Sequence, residues 1–272
     1  MAGRGGRNRR GRSWWGRVGF LVLLVVVIVV VVVVVRGGGE FGGVRLPNPL
    51  DSPTAPPPAS TPPAGGDPSG PATPPGPAAG SLRAAVDGLP VAAEDRTGYA
   101  RERFQHWIDA DRDGCDTRRE VLIGEAITPP TVGPRCALSG GQWRSYYDDK
   151  VWTDPNDLDI DHMVPLAEAW DSGASAWSDE QRRAYANDLD DPRALVAVTD
   201  NENQTKADQD PAEWMPPLAS ATCLYIGEWV AVKLRWQLTV DTAEKTALSR
   251  IAATCPDEPI TVTLAAQGVP PP

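Results

Sequence analysis

Two short runs hold the residues best suited to chemistry. The first is Leu158-Asp-Ile-Asp161-His162-Met-Val-Pro165, and the second is Leu195-Val-Ala-Val-Thr199-Asp-Asn-Glu202-Asn203-Gln-Thr-Lys206. A carboxylate at Asp161 and an amide oxygen at Asn203 are hard donors for Mg2+ or Mn2+, leaving coordination positions for water and a phosphate. An unliganded imidazole at His162 can take a proton from water beside them. Asp159 lies two residues before Asp161, on the same face of a strand, where it can support the ligands from behind. His106 is the only other histidine and there are 4 cysteines, so a three-histidine zinc site within one chain is excluded.

These residues are far apart in sequence, so secondary structure must bring them together. Residues 158–162 alternate apolar and polar and then stop before a proline, as a strand does when it ends at an exposed site. Residues 195–199 are a short apolar strand running into Thr199 and Glu202, spaced as a capping box that would start a helix with Asn203 in its first turns. The predicted order is strand, insertion, strand, helix. If the strands pair and the helix packs across them, Asp161, His162 and Asn203 converge. The duller alternatives are that His162 satisfies a buried carboxylate and that Asn203 is a surface helix residue. His106, between aromatic residues in an apparent helix, reads as packing. Trp143, Tyr146 and Tyr147 could stack on bases but read as core.

The run DIDHMVPLAEAW from Asp159, together with Asn187-Asp188 and Asn203-Gln-Thr-Lys206, resembles the HNH nuclease motif of the ββα-metal fold. More specifically, the domain is similar to the secreted actinobacterial HNH endonuclease family, related to the nuclease half of GmrSD-type restriction enzymes. Further runs carry the likeness: Gly114-Cys-Asp-Thr-Arg118, Gly141-Gln-Trp-Arg-Ser-Tyr-Tyr147, Ala186-Asn-Asp-Leu189 and Asp210-Pro-Ala-Glu-Trp214. The resemblance implies that His162 is the general base and that Asp161 and Asn203 hold a single divalent cation. It implies that Asn187 ties the loop between the strands, and that Lys206 or Arg144 could contact a phosphate. Asparagine stands where some HNH enzymes place a last metal-binding histidine, which favours magnesium or manganese over zinc.

A second acidic motif, Asp109-x-Asp111-x-Asp113-Gly114 closed by Glu120, has the spacing of a calcium loop. Segments 98–108 and 120–127 on either side have helix-like apolar spacing. Asp116 occupies the position where EF-hands place an aliphatic residue, and no second hand follows. The alternative is that these aspartates cap a helix and face solvent.

The chain divides by composition. Residues 1–17 carry six arginines and no acid, and residues 18–35 have no charge at all. At about 1.5 Å per residue the latter span roughly 27 Å, which suits a transmembrane signal anchor with its N-terminus in the cytoplasm. Secretion after cleavage is the alternative. Residues 36–81 form a Gly/Pro/Ala-rich linker, read as disordered, with 13 prolines between 47 and 80. Residues 82–265 form the folded domain, and 266–272 a disordered tail. In an exported domain the four cysteines pair, neighbour-first, as Cys115 with Cys136 and Cys223 with Cys255. The second pair would clamp helices over 219–236 and 242–253.

The expected fold is therefore α+β: a ββα-metal core in a mostly helical, disulfide-stapled domain, preceded by one membrane helix and the linker. From residue 81 onward 18 basic residues face 33 acidic ones, a net charge of −15. Such a field opposes tight non-specific binding to a phosphate backbone, so low affinity and steep salt dependence are expected. The expected activity is extracytoplasmic, metal-dependent hydrolysis of DNA phosphodiesters, with RNA as an alternative substrate. Nucleic acid and the lipid bilayer are the expected partners, and no protein partner is implied. The rival reading is a non-catalytic cell-envelope binding module organised by calcium on a stalk.

Overall fold

A computed structural model describes residues 78–265. The expected membrane helix and tail, and all of the linker before Ala78, lie outside the described residues. Among those described, no helix is long and apolar enough to cross a membrane.

The domain opens with strand β1 (Ala78–Ser81), in the stretch assigned by composition to the linker, and helix α1 (Leu82–Gly88). It closes with helices α6 (Thr222–Arg235) and α7 (Thr242–Ala252) and strand β8 (Pro259–Val262). β1 pairs antiparallel with β8, so both ends of the domain meet. The Cys223–Cys255 disulfide staples α6 to the end of α7, and Cys115–Cys136 closes a second loop. Both pairings are those expected. The α6–α7 hairpin buries Tyr225, Ile226, Trp229, Val230, Leu248 and Ile251 in the core.

Between these ends lie α2 (Thr117–Gly124), the short pairs β2 (Thr131–Val132) with β3 (Leu138–Ser139) and β4 (Trp143–Arg144) with β5 (Val151–Trp152), and the central ββα unit. That unit consists of β6 (Leu158–His162), β7 (Leu195–Thr199) and α5 (Asp200–Lys206). Helices α3 (Leu166–Asp171) and α4 (Asp179–Ala186) fill the connection between the strands.

β6 and β7 are antiparallel, with Leu158 opposite Thr199, Asp161 opposite Val196 and His162 opposite Leu195. Every residue of β7 is buried, which explains its continuous apolar run, since a strand covered on both faces has no polar side to show. Its outer edge is closed by a side chain: the Ala197 amide donates to Glu125 Oε2 at 2.8 Å.

Two local expectations are corrected. Residues 98–108 do not form a helix; only a 3-10 turn at Arg101–Arg103 interrupts an extended path. Phe104 is fully buried there, and Trp107 takes a left-handed φ of 59° to lie against the site. The capping box at Thr199 is also absent. Its hydroxyl instead donates to Asp148 Oδ1 and accepts from Trp152 Nε1, tying β7 to the β4–β5 hairpin. Trp143 and Tyr147 are core residues, buried to 1% and 0% exposure.

Candidate active site

β6 ends in the adjacent residues Asp161 and His162, and α5 delivers Asn203. All three line a single pocket of about 220 Å3, together with Tyr99, Arg101, Ile160, Leu166 and Asp208 among others. Asn203 Nδ2 donates to Asp159 Oδ2 at 3.2 Å, joining the helix to the strand face that Asp161 shares. Burial pushes the Asp159 carboxyl up against that hydrogen bond, and the Asp200 carboxylate pushes it further.

Asp161 is buried and anchored. Its Oδ2 accepts from Tyr147 Oη at 2.5 Å and from Lys206 Nζ at 2.6 Å. Lys206 is 0% exposed, and its ammonium also donates to the carbonyls of His162 and Met163, at 2.9 and 3.0 Å. All three of its protons are thereby used within the protein. The expected phosphate contact by Lys206 is corrected accordingly: the residue locks α5 to the end of β6. Burial raises the Asp161 carboxyl and lowers the Lys206 ammonium, and the ion pair opposes both shifts. Arg144, the other expected phosphate contact, is bound to Asp149 on the exposed β4–β5 hairpin and does not line the pocket.

The His162 ring is fixed by one hydrogen bond of informative polarity. Nε2 lies 3.0 Å from the carbonyl oxygen of Ala186, which can only accept, so Nε2 carries the proton and Nδ1 holds the free lone pair. Trp107 packs over the ring at 5.4 Å between centroids, Tyr185 stacks against it at 6.4 Å, and His106 meets it edge-on at 6.5 Å. Burial pushes the imidazole down to about 3, with the charge of Arg101 a smaller contribution, so the ring is neutral at physiological pH.

Asn187, at the C-cap of α4, clamps the segment carrying His106 and Trp107. Its Oδ1 accepts from the Ile108 amide and the Thr117 hydroxyl, and its Nδ2 donates to the carbonyls of Gln105 and Arg183. It ties the inter-strand connection to an earlier segment of the domain and does not line the pocket.

Sequence reasoning missed Arg101 and Tyr99. Arg101 is exposed at the pocket and pairs with no carboxylate among the described residues. It lies sixty residues before Asp161, and no local pattern distinguishes it from the other arginines of the segment.

At the acidic loop, carboxylate oxygens of Asp109, Asp111 and Asp113 lie within 4.8 Å of one another, all exposed. Each already accepts a backbone amide within the turn, from Gly114, Asp113 and Cys115 respectively. Glu120, in α2, is not one of that group, and its carboxyl is raised by burial and by those aspartates. The preceding segment lacks the helix of an EF-hand.

No solved structure matches the chain. An uncharacterized secreted protein of Arthroderma benhamiae is 45% identical over 185 residues, covering 67% of this chain and 89% of that relative. Residues 129–251, which include β6, β7, α5 and Asn187, match the C-terminal domain of GmrSD restriction endonucleases. Residues 129–251, which hold the ββα unit, thus belong to the GmrSD restriction endonuclease C-terminal domain family.

Proposed function

We propose that this domain is a metal-dependent endonuclease that works outside the cytoplasm and hydrolyses DNA phosphodiester bonds, with RNA as an alternative substrate. The observation that carries the reading is the convergence of Asp161, His162 and Asn203 on one pocket, with His162 oriented so that Nδ1 is its basic nitrogen. Two disulfides and the secreted relative support the location, since such bonds persist in oxidising compartments.

The donor set fits one hard divalent ion. Asp161 Oδ1 and the Asn203 amide oxygen are both left over once their partner atoms are bonded, and Asp159 stands behind Asn203. No thiolate and no imidazole other than His162 lines the pocket to favour zinc. When bound, magnesium or manganese would stabilise the charge that develops on the leaving oxygen.

The protein's own groups have separate tasks. His162 Nδ1 accepts the proton of the attacking water, while Nε2 stays bonded to Ala186 and holds the ring in plane. The ring of the free protein is a weak base. A phosphate in the pocket would bring negative charge beside it, offsetting Arg101 and raising its proton affinity. Arg101, with no carboxylate partner, is placed to grip that phosphate through its planar fork of donors. Lys206 and Tyr147 keep Asp161 charged and immobile. Asn187 acts at a distance, as a positioning residue, by clamping the segment whose Trp107 and His106 cover the ring.

The test is cleavage of supercoiled plasmid by the purified protein with magnesium, manganese or EDTA, repeated with His162→Ala. Magnesium- or manganese-dependent nicking that the alanine variant loses supports the proposal. Equal cleavage by His162→Ala removes the base, and no cleavage by a folded wild type with either ion favours the binding-module reading.

A further inference from the structure

We propose that the domain has a second cation site, for one calcium ion, built from Glu94, Glu168, Asp171, Asp210 and Asp241, none of which lines the catalytic pocket. Carboxylate oxygens of Glu94, Glu168 and Asp171 lie within 4.8 Å of one another, and so do those of Glu94, Asp210 and Asp241. Glu94 is common to both groups. Calcium binds oxygens at about 2.4 Å, so ligands on opposite sides of the ion stand about 4.8 Å apart. The smaller magnesium ion requires a tighter cage.

The chain brings these residues from four places. Glu168 and Asp171 are one turn apart on α3, Asp210 follows α5, Asp241 caps α7, and Glu94 lies on the exposed segment after α1. Four of the five commit one oxygen to the fold. Glu168 Oε1 accepts from Lys233, Asp171 Oδ2 from Arg96, Asp210 Oδ1 from the Ala212 amide, and Asp241 Oδ1 from the Glu244 amide. That leaves the second oxygen of each for another partner.

An independent sign that a ligand belongs here is Asp171 Oδ1. The Asp171 side chain is 2% exposed, and Oδ1 is buried without a hydrogen-bond partner. A buried carboxylate oxygen left so costs free energy unless something positive meets it. Arg96 and Lys233 are the cations paired with this cluster among the described residues, and each is already shared, with Asp208 and Glu244 respectively. The electrostatics agree: burial first, then its four neighbouring carboxylates, push Glu94 up to about 7, and burial also raises Asp171 and Asp210. A divalent ion removes this mutual repulsion and ties α3, the end of α5 and the start of α7 together beside the catalytic unit.

The test uses the full-length protein carrying Asp111→Asn and Asp113→Asn, which disable the exposed acidic loop, with calcium chloride alone as probe and no nuclease readout. With magnesium saturating the proposed catalytic site, calorimetry should show one bound calcium, and the melting temperature should rise with calcium. Adding Glu94→Gln, an exposed substitution, should weaken that binding at least about tenfold and abolish the rise. In calcium-free buffer the same change should leave the melting temperature equal or higher, because it removes a repelled charge. Failure of the Asp111→Asn/Asp113→Asn protein to bind calcium at roughly millimolar concentration, or undiminished binding after Glu94→Gln, overturns the site. Neither result depends on whether the domain cuts nucleic acid.

Discussion

Replacing Lys206 with methionine removes one charge from the most enclosed ion pair at the site. The ammonium is fully buried and donates to Asp161 Oδ2 at 2.6 Å, to the His162 carbonyl at 2.9 Å and to the Met163 carbonyl at 3.0 Å. Met fills nearly the same volume, so the cost is electrostatic, with little cavity term. Asp161 would keep only Tyr147 as a partner for a buried charge, and breaking a buried pair by removing one member typically costs about 3–5 kcal/mol. For a domain of this size that corresponds to a fall in melting temperature of roughly 6–20 °C. The assay is urea unfolding, with the midpoint falling and the slope unchanged. Lys206→Met combined with Asp161→Asn should recover at least about 1 kcal/mol of the loss, because the orphaned charge is gone. A loss under about 1 kcal/mol for the single change, or strict additivity in the double variant, would refute the claim that the pair is desolvated and mutually dependent.

Three further outcomes follow from particular contacts. Asn187→Ala deletes four hydrogen bonds, two of them to the segment over His162, at Gln105 and Ile108, and the others to Thr117 and Arg183; it should cost about 2–4 kcal/mol and lower kcat more than it raises KM, with faster exchange of the Ile108 amide. Arg101→Ala should raise KM for DNA and flatten the salt dependence of binding by about one unit of slope, with the melting temperature unchanged. Burial pushes Glu228 up to about 7 despite its hydrogen bond from Tyr146. The native state therefore holds a proton that the unfolded chain releases above its ordinary carboxylate range. This contribution is fully present below about pH 4.5 and declines as pH rises through 7. Glu228→Gln should flatten the fall in unfolding free energy across that window, and an unchanged pH profile would contradict the assignment.

What the sequence disclosed follows from how local each signal is. β7 is legible because an unbroken apolar run at Leu195–Val198 reports burial directly, and β6 because alternation at Leu158–His162 marks a strand, although Asp161 and His162 are buried as well. The α6–α7 hairpin and its disulfide are legible because the helical periods are long and the cysteines flank them. Segment 98–108 was misleading because its apolar residues are spaced like a helix, whereas Phe104 and Trp107 are placed individually, by packing on Trp170 and on His162. The Thr199–Glu202 spacing suggested a capping box, but a hydroxyl beside Asp148 and Trp152 found stronger partners than its own helix. The fate of Lys206 was invisible because it depends on Asp161 lying forty-five residues away. The five-carboxylate cluster was invisible for the same reason, since its members meet only after four segments have packed.

The most direct test of the nuclease assignment is single-turnover cleavage of an end-labelled duplex with saturating magnesium, comparing the wild type with His162→Ala and Asn203→Ala after circular dichroism has shown all three folded. Loss of a positioned general base should slow the step by about 10²–10⁴-fold in His162→Ala. Asn203→Ala should be slowed too, but recover in part as magnesium is raised. Wild-type rates in folded His162→Ala protein would contradict the account.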